Sequence, residues 1–364
     1  MVVRTPRQES DSKYGMVDQE RLSMVTTLKI VELVMSKKDE PKKIDENLEK
    51  LKATARGFKN FLNAQYRDNV AYVPDSNTIA SVTVHKWLKV SKAFADAIEL
   101  PGLPFGNITH VYGKPDTGKT TLLMLGIAEA QKAGILPILV LTEHKFDFNR
   151  LPNFMGADPD AMVVLHADNL EQAYGYMEKI LRELPSGKLT FEVEGEKGEV
   201  TEHVIDMTNQ DCFMFMDSIG NTMTETEMEY ETADWDKSMG KHAKALKALT
   251  KRLNHLLSKV REKCGILLLN QSYQSMPSYG PSVETPYGGE GVPYSCVLNL
   301  RFRRTGDVKM TLKGKEVIIG RQTKIQVMKN HISHLMAIGH VLVVGSGMLP
   351  DTKEALEAYK KTIR

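Results

Sequence analysis

The densest chemistry in the chain lies in residues 106–121, GNITHVYGKPDTGKTT. Within them Gly113, Lys114, Pro115, Asp116, Thr117, Gly118, Lys119 and Thr120 match GxxxxGK[ST] in full, with Thr121 next. Glycines at Gly113 and Gly118 let backbone N–H groups close around phosphate oxygens. A helix that begins at the same point aims its positive end at the same anion. Lys119 supplies a charge for β- and γ-phosphates, and the Thr120 hydroxyl can ligate Mg²⁺.

The motif has this meaning only between a strand and a helix. Ile108–Tyr112 predicts a short buried strand and Leu122–Ala130 a helix. Ile135–Leu141 (ILPILVL) predicts a central strand buried on both faces, as parallel sheets require. It ends in Thr142-Glu143-His144, a carboxylate at the carboxyl end of a strand expected beside the phosphate-loop strand, where ligands bind in such sheets. Phe213–Met216 predicts another buried strand closed by Asp217, the group that helps to hold Mg²⁺ in phosphate-loop enzymes. Gly265–Leu269 is a third, ending in Asn270-Gln271.

Around these, 364 residues suffice for one large domain or two. A net charge of +2 excludes a generally polyanion-binding composition, so any nucleic-acid site is local. No apolar run approaches the ~20 residues that span a bilayer, and MVVRTPRQES lacks a signal-peptide core. Cys212, Cys264 and Cys296 have no metal-ligand spacing and read as buried small hydrophobes in a reducing compartment. Residues 17–36 predict an apolar helix, for core packing or as a clip between subunits, and Asp39–Lys43 a break. A second helix is expected over 44–64 and a strand over Thr78–Val84. Met162–Leu165 reads as a strand, Glu171–Leu184 as a helix, Lys188–Thr208 as an inserted hairpin and Glu225–Asp236 as a loop. Residues 240–262 are amphipathic, with Lys237, Lys241, Lys244, Lys247 and Lys251 along one face, either solvated or set against phosphates. Ser272–Val292 has no apolar period and reads as a long loop, functional or disordered. Val297–Phe302 is the next expected strand, Glu316–Ile319 and Lys324–Met328 an antiparallel pair, and Val341–Val344 a last short strand. Asp351 with Glu354 resembles a capping box before a final helix. The fold class is therefore α/β, a doubly wound, mostly parallel sheet flanked by helices.

The order of motifs resembles the RecA family of ATP-dependent DNA recombinases from about residue 44 to 340. The matching stretches are LPGLPFGNITHVYGKPDTGKTT, TEHKFD, FMFMDSIG, DKSMGKHAKALK, LLLNQ, TPYGGEGVPY, TKIQVMKNH and, at the N-terminus, IDENLEKLKATARGF. The resemblance implies ATP and Mg²⁺ as cofactors, single- and double-stranded DNA as partners, a helical filament with ATP at subunit interfaces, and no membrane. It implies that Lys119 and Thr120 bind phosphate and Mg²⁺, Glu143 activates water, Asp217 holds Mg²⁺ through water and Gln271 senses the γ-phosphate. Lys329 and His331 would act in trans on a neighbour's ATP, and Met239, Gly240, Lys244, Lys247, Lys251, Tyr273, Gly288 and Gly289 would face DNA.

Departures from the family pattern are His331 in place of a second lysine, Arg150 where an aromatic often covers the adenine, Tyr273 in place of an arginine, and Glu290 beside the glycine pair. The family's C-terminal DNA-gathering domain is mostly missing, while residues 1–43 and 188–208 are extra, so the pattern resembles a divergent or virus-encoded member. The implied organisation is an extension (1–43), an assembly helix and strand (44–85), an ATPase core (86–345) and a C-terminal helix (346–364). The implied location is cytoplasmic, with the nucleoid or in a host cell. A ring-forming motor and an ATP-binding mediator of another recombinase are the alternatives; a small-molecule kinase fits poorly, since no cluster of lid arginines is present.

Overall fold

The computed structural model describes residues 41–66, 84, 86–143, 145–194, 200–220, 222–229, 240–275 and 282–363. The expected helix over 17–36, most of the strand over Thr78–Val84, Lys237 and Met239 lie outside them. The chain divides into two units, Met1–Val82 and Thr83–Arg364. In the first, helix α1 (Pro41–Tyr66) starts inside the expected Asp39–Lys43 break, with proline at its first position, where a missing N–H costs nothing. Its apolar residues Leu48, Leu51, Phe58 and Phe61 are solvent-exposed.

The second unit begins with β1 (Trp87–Leu88), α2 (Lys92–Ile98), β2 (Leu103–Pro104), β3 (Ile108–Gly113), α3 (Lys119–Lys132) and β4 (Leu136–Leu141). Next come β5 (Val163–His166), α4 (Leu170–Glu183), the hairpin of β6 (Lys188–Glu194) and β7 (Val200–Asp206), β8 (Cys212–Asp217) and α5 (Glu225–Glu229). Then follow α6 (Lys241–Leu257), β9 (Cys264–Ser275), β10 (Val283–Pro286), α7 (Gly291–Ser295) and β11 (Leu298–Leu312). The chain closes with β12 (Lys315–Asn330), β13 (Ile338–Val344), β14 (Gly347–Pro350) and α8 (Lys353–Ile363).

A ten-stranded sheet has the order β14-β13-β12-β11-β3-β9-β8-β4-β5, with β10 added to β9. The six strands from β11 to β5 run parallel, and β12, β13 and β14 extend the sheet antiparallel. Continuous apolar runs form the centre because alternate residues feed two cores. Phe213 and Phe215 point into a core with α2 and α3, whereas Met214 and Met216 join α4 and α6 on the other face.

The sheet corrects several expectations. β4 is not beside β3; β9 and β8 lie between them, an order that crossover connections leave invisible in sequence. Residues 316–319 and 324–328 are not partners but parts of the single strand β12, which pairs with β11 throughout. The polar stretch Gly320–Thr323 breaks the apolar pattern without breaking the strand, and three register irregularities let the long pair bend. The stretch after Gln271, expected as loop, contains strand, because β9 runs on to Ser275 and pairs with β10. Glu225–Glu229 is a short helix rather than loop. The cap of α8 is Thr352, whose Oγ1 accepts from Ala355 N, and not Asp351.

One buried polar row crosses the sheet. His110 on β3 is fully buried between Asn299 of β11 and Asn270 of β9. Burial drives its imidazole down from 6.5 to about 4, opposed by the Asn299 hydrogen bond. An unfolded histidine takes up a proton near 6.5 while this one resists, so stability present above pH 6.5 is lost as pH falls towards 4. The shift corresponds to about 3 kcal/mol. His110→Gln is expected to flatten that limb; urea unfolding at pH 7.5 and 4.5 measures it.

Candidate active site

The carboxyl ends of four parallel strands meet at one cleft of about 360 Å³. β3 delivers the phosphate loop, β9 Gln271, β8 Asp217 and β4 Glu143. The sequence-identified Pro115, Asp116, Thr117, Gly118, Lys119, Thr120, Thr121, Glu143, Arg150, Asp217 and Gln271 all line it. Gly118 precedes α3 at φ +94, a left-handed conformation that favours glycine. Gly113 is needed for another reason, since a Cβ there would come within 2.2 Å of the Phe302 carbonyl oxygen on β11. Lys114 is exposed and contributes its carbonyl, which accepts from Lys119 Nζ (2.9 Å) and Thr117 Oγ1 (2.9 Å).

Lys119 Nζ also donates to the Gly113 carbonyl at 2.8 Å. Loss of water around it pulls its pKa down to about 8, although Asp217 and Glu143 oppose the shift. Burial likewise pushes the Asp217 carboxyl up to about 6, reinforced by the Glu143 charge. Thr120 Oγ1 donates to Asp217 Oδ2 at 3.1 Å. A hydroxyl oxygen and a carboxylate oxygen at the mouth of a phosphate loop are the hard donors that Mg²⁺ takes, with substrate phosphates and water completing its shell.

Glu143 is held on two sides. Ser218 Oγ donates to its Oε1 at 2.8 Å, and Gln271 Nε2 approaches the same oxygen at 3.4 Å. Thr142 Oγ1 donates to the Ser218 carbonyl at 2.8 Å, tying the ends of β4 and β8 together. Neither Ser218 nor Thr142 was identifiable alone; each is only the neighbour of an acidic residue in sequence. Lys145, Phe146 and Asp147 also line the cleft. Strand β12 braces the loop from outside. Thr323 Oγ1 donates to the Thr117 carbonyl (3.1 Å), and Arg321 pairs with Asp116 at 3.4 Å. Only the sheet order reveals these contacts.

The remaining expected site residues lie elsewhere. Lys244, Lys247 and Lys251 are exposed on α6, which starts after Gly240. Gly288 and Gly289 form the turn after β10 at φ +78 and +64, and Gly288 packs on Leu246 of α6. Tyr273 on β9 lies 5.1 Å from Tyr287, ring to ring, and both are partly exposed. Lysine row, glycine turn and tyrosine pair therefore adjoin. Tyr287, the second ring, carries no distinguishing signal in the sequence, where it is one tyrosine of several in a glycine-rich stretch. Lys329 and His331 line no part of the cleft in their own chain. Lys329 is level with His110 in the sheet and donates to the carbonyls of Pro293 (3.1 Å) and Tyr294 (2.7 Å). Partial burial lowers its pKa. His331 is exposed.

The two shifted groups predict how nucleotide affinity varies with pH. An anion needs Lys119 charged, so binding weakens as pH rises through about 8. A metal-bound nucleotide needs Asp217 ionised, so binding weakens as pH falls through about 6. Titrating a fluorescent ATP analogue with Mg²⁺ between pH 5 and 9.5 is expected to give a bell-shaped affinity profile. Asp217→Asn should remove the acid limb and leave the alkaline one.

A family model for the RecA N-terminal domain matches residues 69–348. The chain is 30% identical over 246 residues to Protein RecA of Chlorobaculum tepidum, covering 67% of this chain and 60% of that one. It is 29% identical over 237 residues to Protein RecA of Cytophaga hutchinsonii, covering 65% and 58%. With Protein RecA of Chloroherpeton thalassium it shares 27% identity over 302 residues, 83% and 73%. It thus spans about three-fifths of the first two relatives. Among the described residues, no helix is long and apolar enough to cross a membrane. Phosphate loop, strand order and a family match across most of the sheet lead to one conclusion: the chain belongs to the RecA family.

Proposed function

We propose that the chain is an ATP-dependent DNA recombinase, which assembles as a helical filament on single-stranded DNA, hydrolyses ATP between subunits and exchanges strands with double-stranded DNA. The observation that carries this reading is the convergence of Lys119, Asp217, Glu143 and Gln271 at one cleft, next to β9, the strand that continues into the tyrosine-bearing hairpin.

In this reading the loop amides and Lys119 hold the β- and γ-phosphates. Thr120 and, through water, Asp217 would hold Mg²⁺, which would supply positive charge beside the phosphates. Glu143 orients the attacking water and takes its proton, while Ser218 keeps the carboxylate in place. Gln271 reports the γ-phosphate to the hairpin. Arg150 lies flat against the base, as a guanidinium plane can. Lys329, with His331, reaches the cleft of the next subunit and stabilises transition-state charge as an arginine finger does. Lys244, Lys247 and Lys251 meet DNA phosphates, and Tyr273 stacks on a base.

The test is ATP hydrolysis with and without single-stranded DNA at two salt concentrations. The expected result is strong stimulation that weakens as salt rises. Lys244→Glu with Lys247→Glu should abolish stimulation and retain the basal rate; if stimulation survives, the lysine face is only solvated. Glu143→Gln should lower kcat by ~10²–10⁴-fold with ATP affinity kept. Electron microscopy separates open filaments from closed rings, and a rate indifferent to DNA would overturn the recombinase reading.

A further inference from the structure

The polar row through His110 has one self-consistent direction. The Tyr287 carbonyl can only accept, so Asn270 Nδ2, 2.9 Å away, is a donor there. The same nitrogen lies 3.1 Å from His110 Nε2, so that ring nitrogen accepts. The proton therefore sits on Nδ1 and is donated to Asn299 Oδ1 at 2.7 Å. One amide group thus spends its two hydrogens on the phosphate-loop strand and on the hairpin. Tyr287 is gripped twice, because its N–H also donates to the Gln271 carbonyl at 3.0 Å. Among the described residues Asn270 Oδ1 is buried without a hydrogen-bond partner and faces Gly220, where a Cβ would lie 2.7 Å from it.

We propose that His110 is a positioning residue that, through Asn270, clamps the Tyr287 backbone to β9 and so ties the tyrosine-bearing hairpin to the nucleotide cleft. With the clamp closed, a displacement of Gln271 on contacting nucleotide moves Tyr287, and with it Tyr273, as one body. With the clamp open, Tyr287 keeps only its bond to Gln271 and lags. The imidazole suits this task because it offers a donor and an acceptor on opposite sides of a rigid ring and, fully buried, stays neutral. The inference rests on the recombinase reading for what the hairpin contacts, but the clamp itself does not.

The test compares His110→Phe, which fills the ring's space and neither donates nor accepts, with His110→Gln, whose amide can do both. Hydrogen exchange in the full chain without DNA reads the clamp. The Tyr287 amide should exchange roughly tenfold faster in His110→Phe, as expected for loss of about one hydrogen bond, and at the wild-type rate in His110→Gln. ATP hydrolysis reads the coupling: His110→Phe keeps the basal rate and loses DNA stimulation, and His110→Gln restores it. Asn299→Ser, which leaves the ring but removes its proton acceptor, should shift both readouts in the same direction and serves if His110→Phe does not fold. Wild-type exchange at Tyr287 in both His110→Phe and Asn299→Ser would overturn the clamp. A wild-type chain whose hydrolysis ignores DNA would instead overturn the recombinase reading, with the exchange result standing.

Discussion

The partial burial of two opposite charges at one cleft is the constraint on which the rest depends. Lys119 is pushed towards its neutral form and Asp217 towards its protonated form by the same dry surroundings. Each is a group whose charged form water would have stabilised, and an arriving anion or cation replaces that stabilisation. A cleft of this kind favours a polyphosphate with its metal over either alone. The two backbone carbonyls that hold Lys119 Nζ keep the ammonium in place at the loop it serves.

Burying such groups at the base of a cleft requires a sheet covered on both faces. Alternate side chains of β3, β4, β8 and β9 enter two cores, and only their carboxyl ends remain open to carry polar groups. The two strands between β3 and β4 are therefore functional spacers. β8 and β9 bring Asp217 and Gln271 between Lys119 and Glu143, so the carboxylate meets an amide and a hydroxyl that hold it. β12, antiparallel and distant in sequence, closes the other side of the phosphate loop through Thr323 and Arg321.

The sheet also carries a polar row through a core that is otherwise largely apolar. Asn299, His110 and Asn270 occupy three neighbouring strands, and a buried row of this kind is tolerated because its hydrogen bonds run in one direction from end to end. β9 links the two regions. It carries Gln271 at the cleft and Tyr273 four-tenths exposed two residues later, so a single backbone joins cleft and hairpin.

What the sequence determined by itself is local. GKPDTGKT specifies a phosphate loop through backbone geometry, and ILPILVL, FMFM and GILLL specify strands buried on both faces through unbroken hydrophobicity. Strand-end residues Glu143, Asp217 and Gln271 were legible because each follows such a run, and the roles assigned to them came from the order of motifs. Tertiary structure alone decided which strand lies beside which, that β12 is one strand, that Ser218, Thr323 and Arg321 contact residues of the cleft, and that His110 bridges two asparagines. A histidine in the middle of a strand carries no signal of its partners, because Asn299 and Asn270 are remote in sequence and reach it only across the hydrogen-bonded ladder. Local patterns record how each residue meets solvent or core; a pairing between strands is set by packing of the whole sheet, and no single stretch of chain contains it.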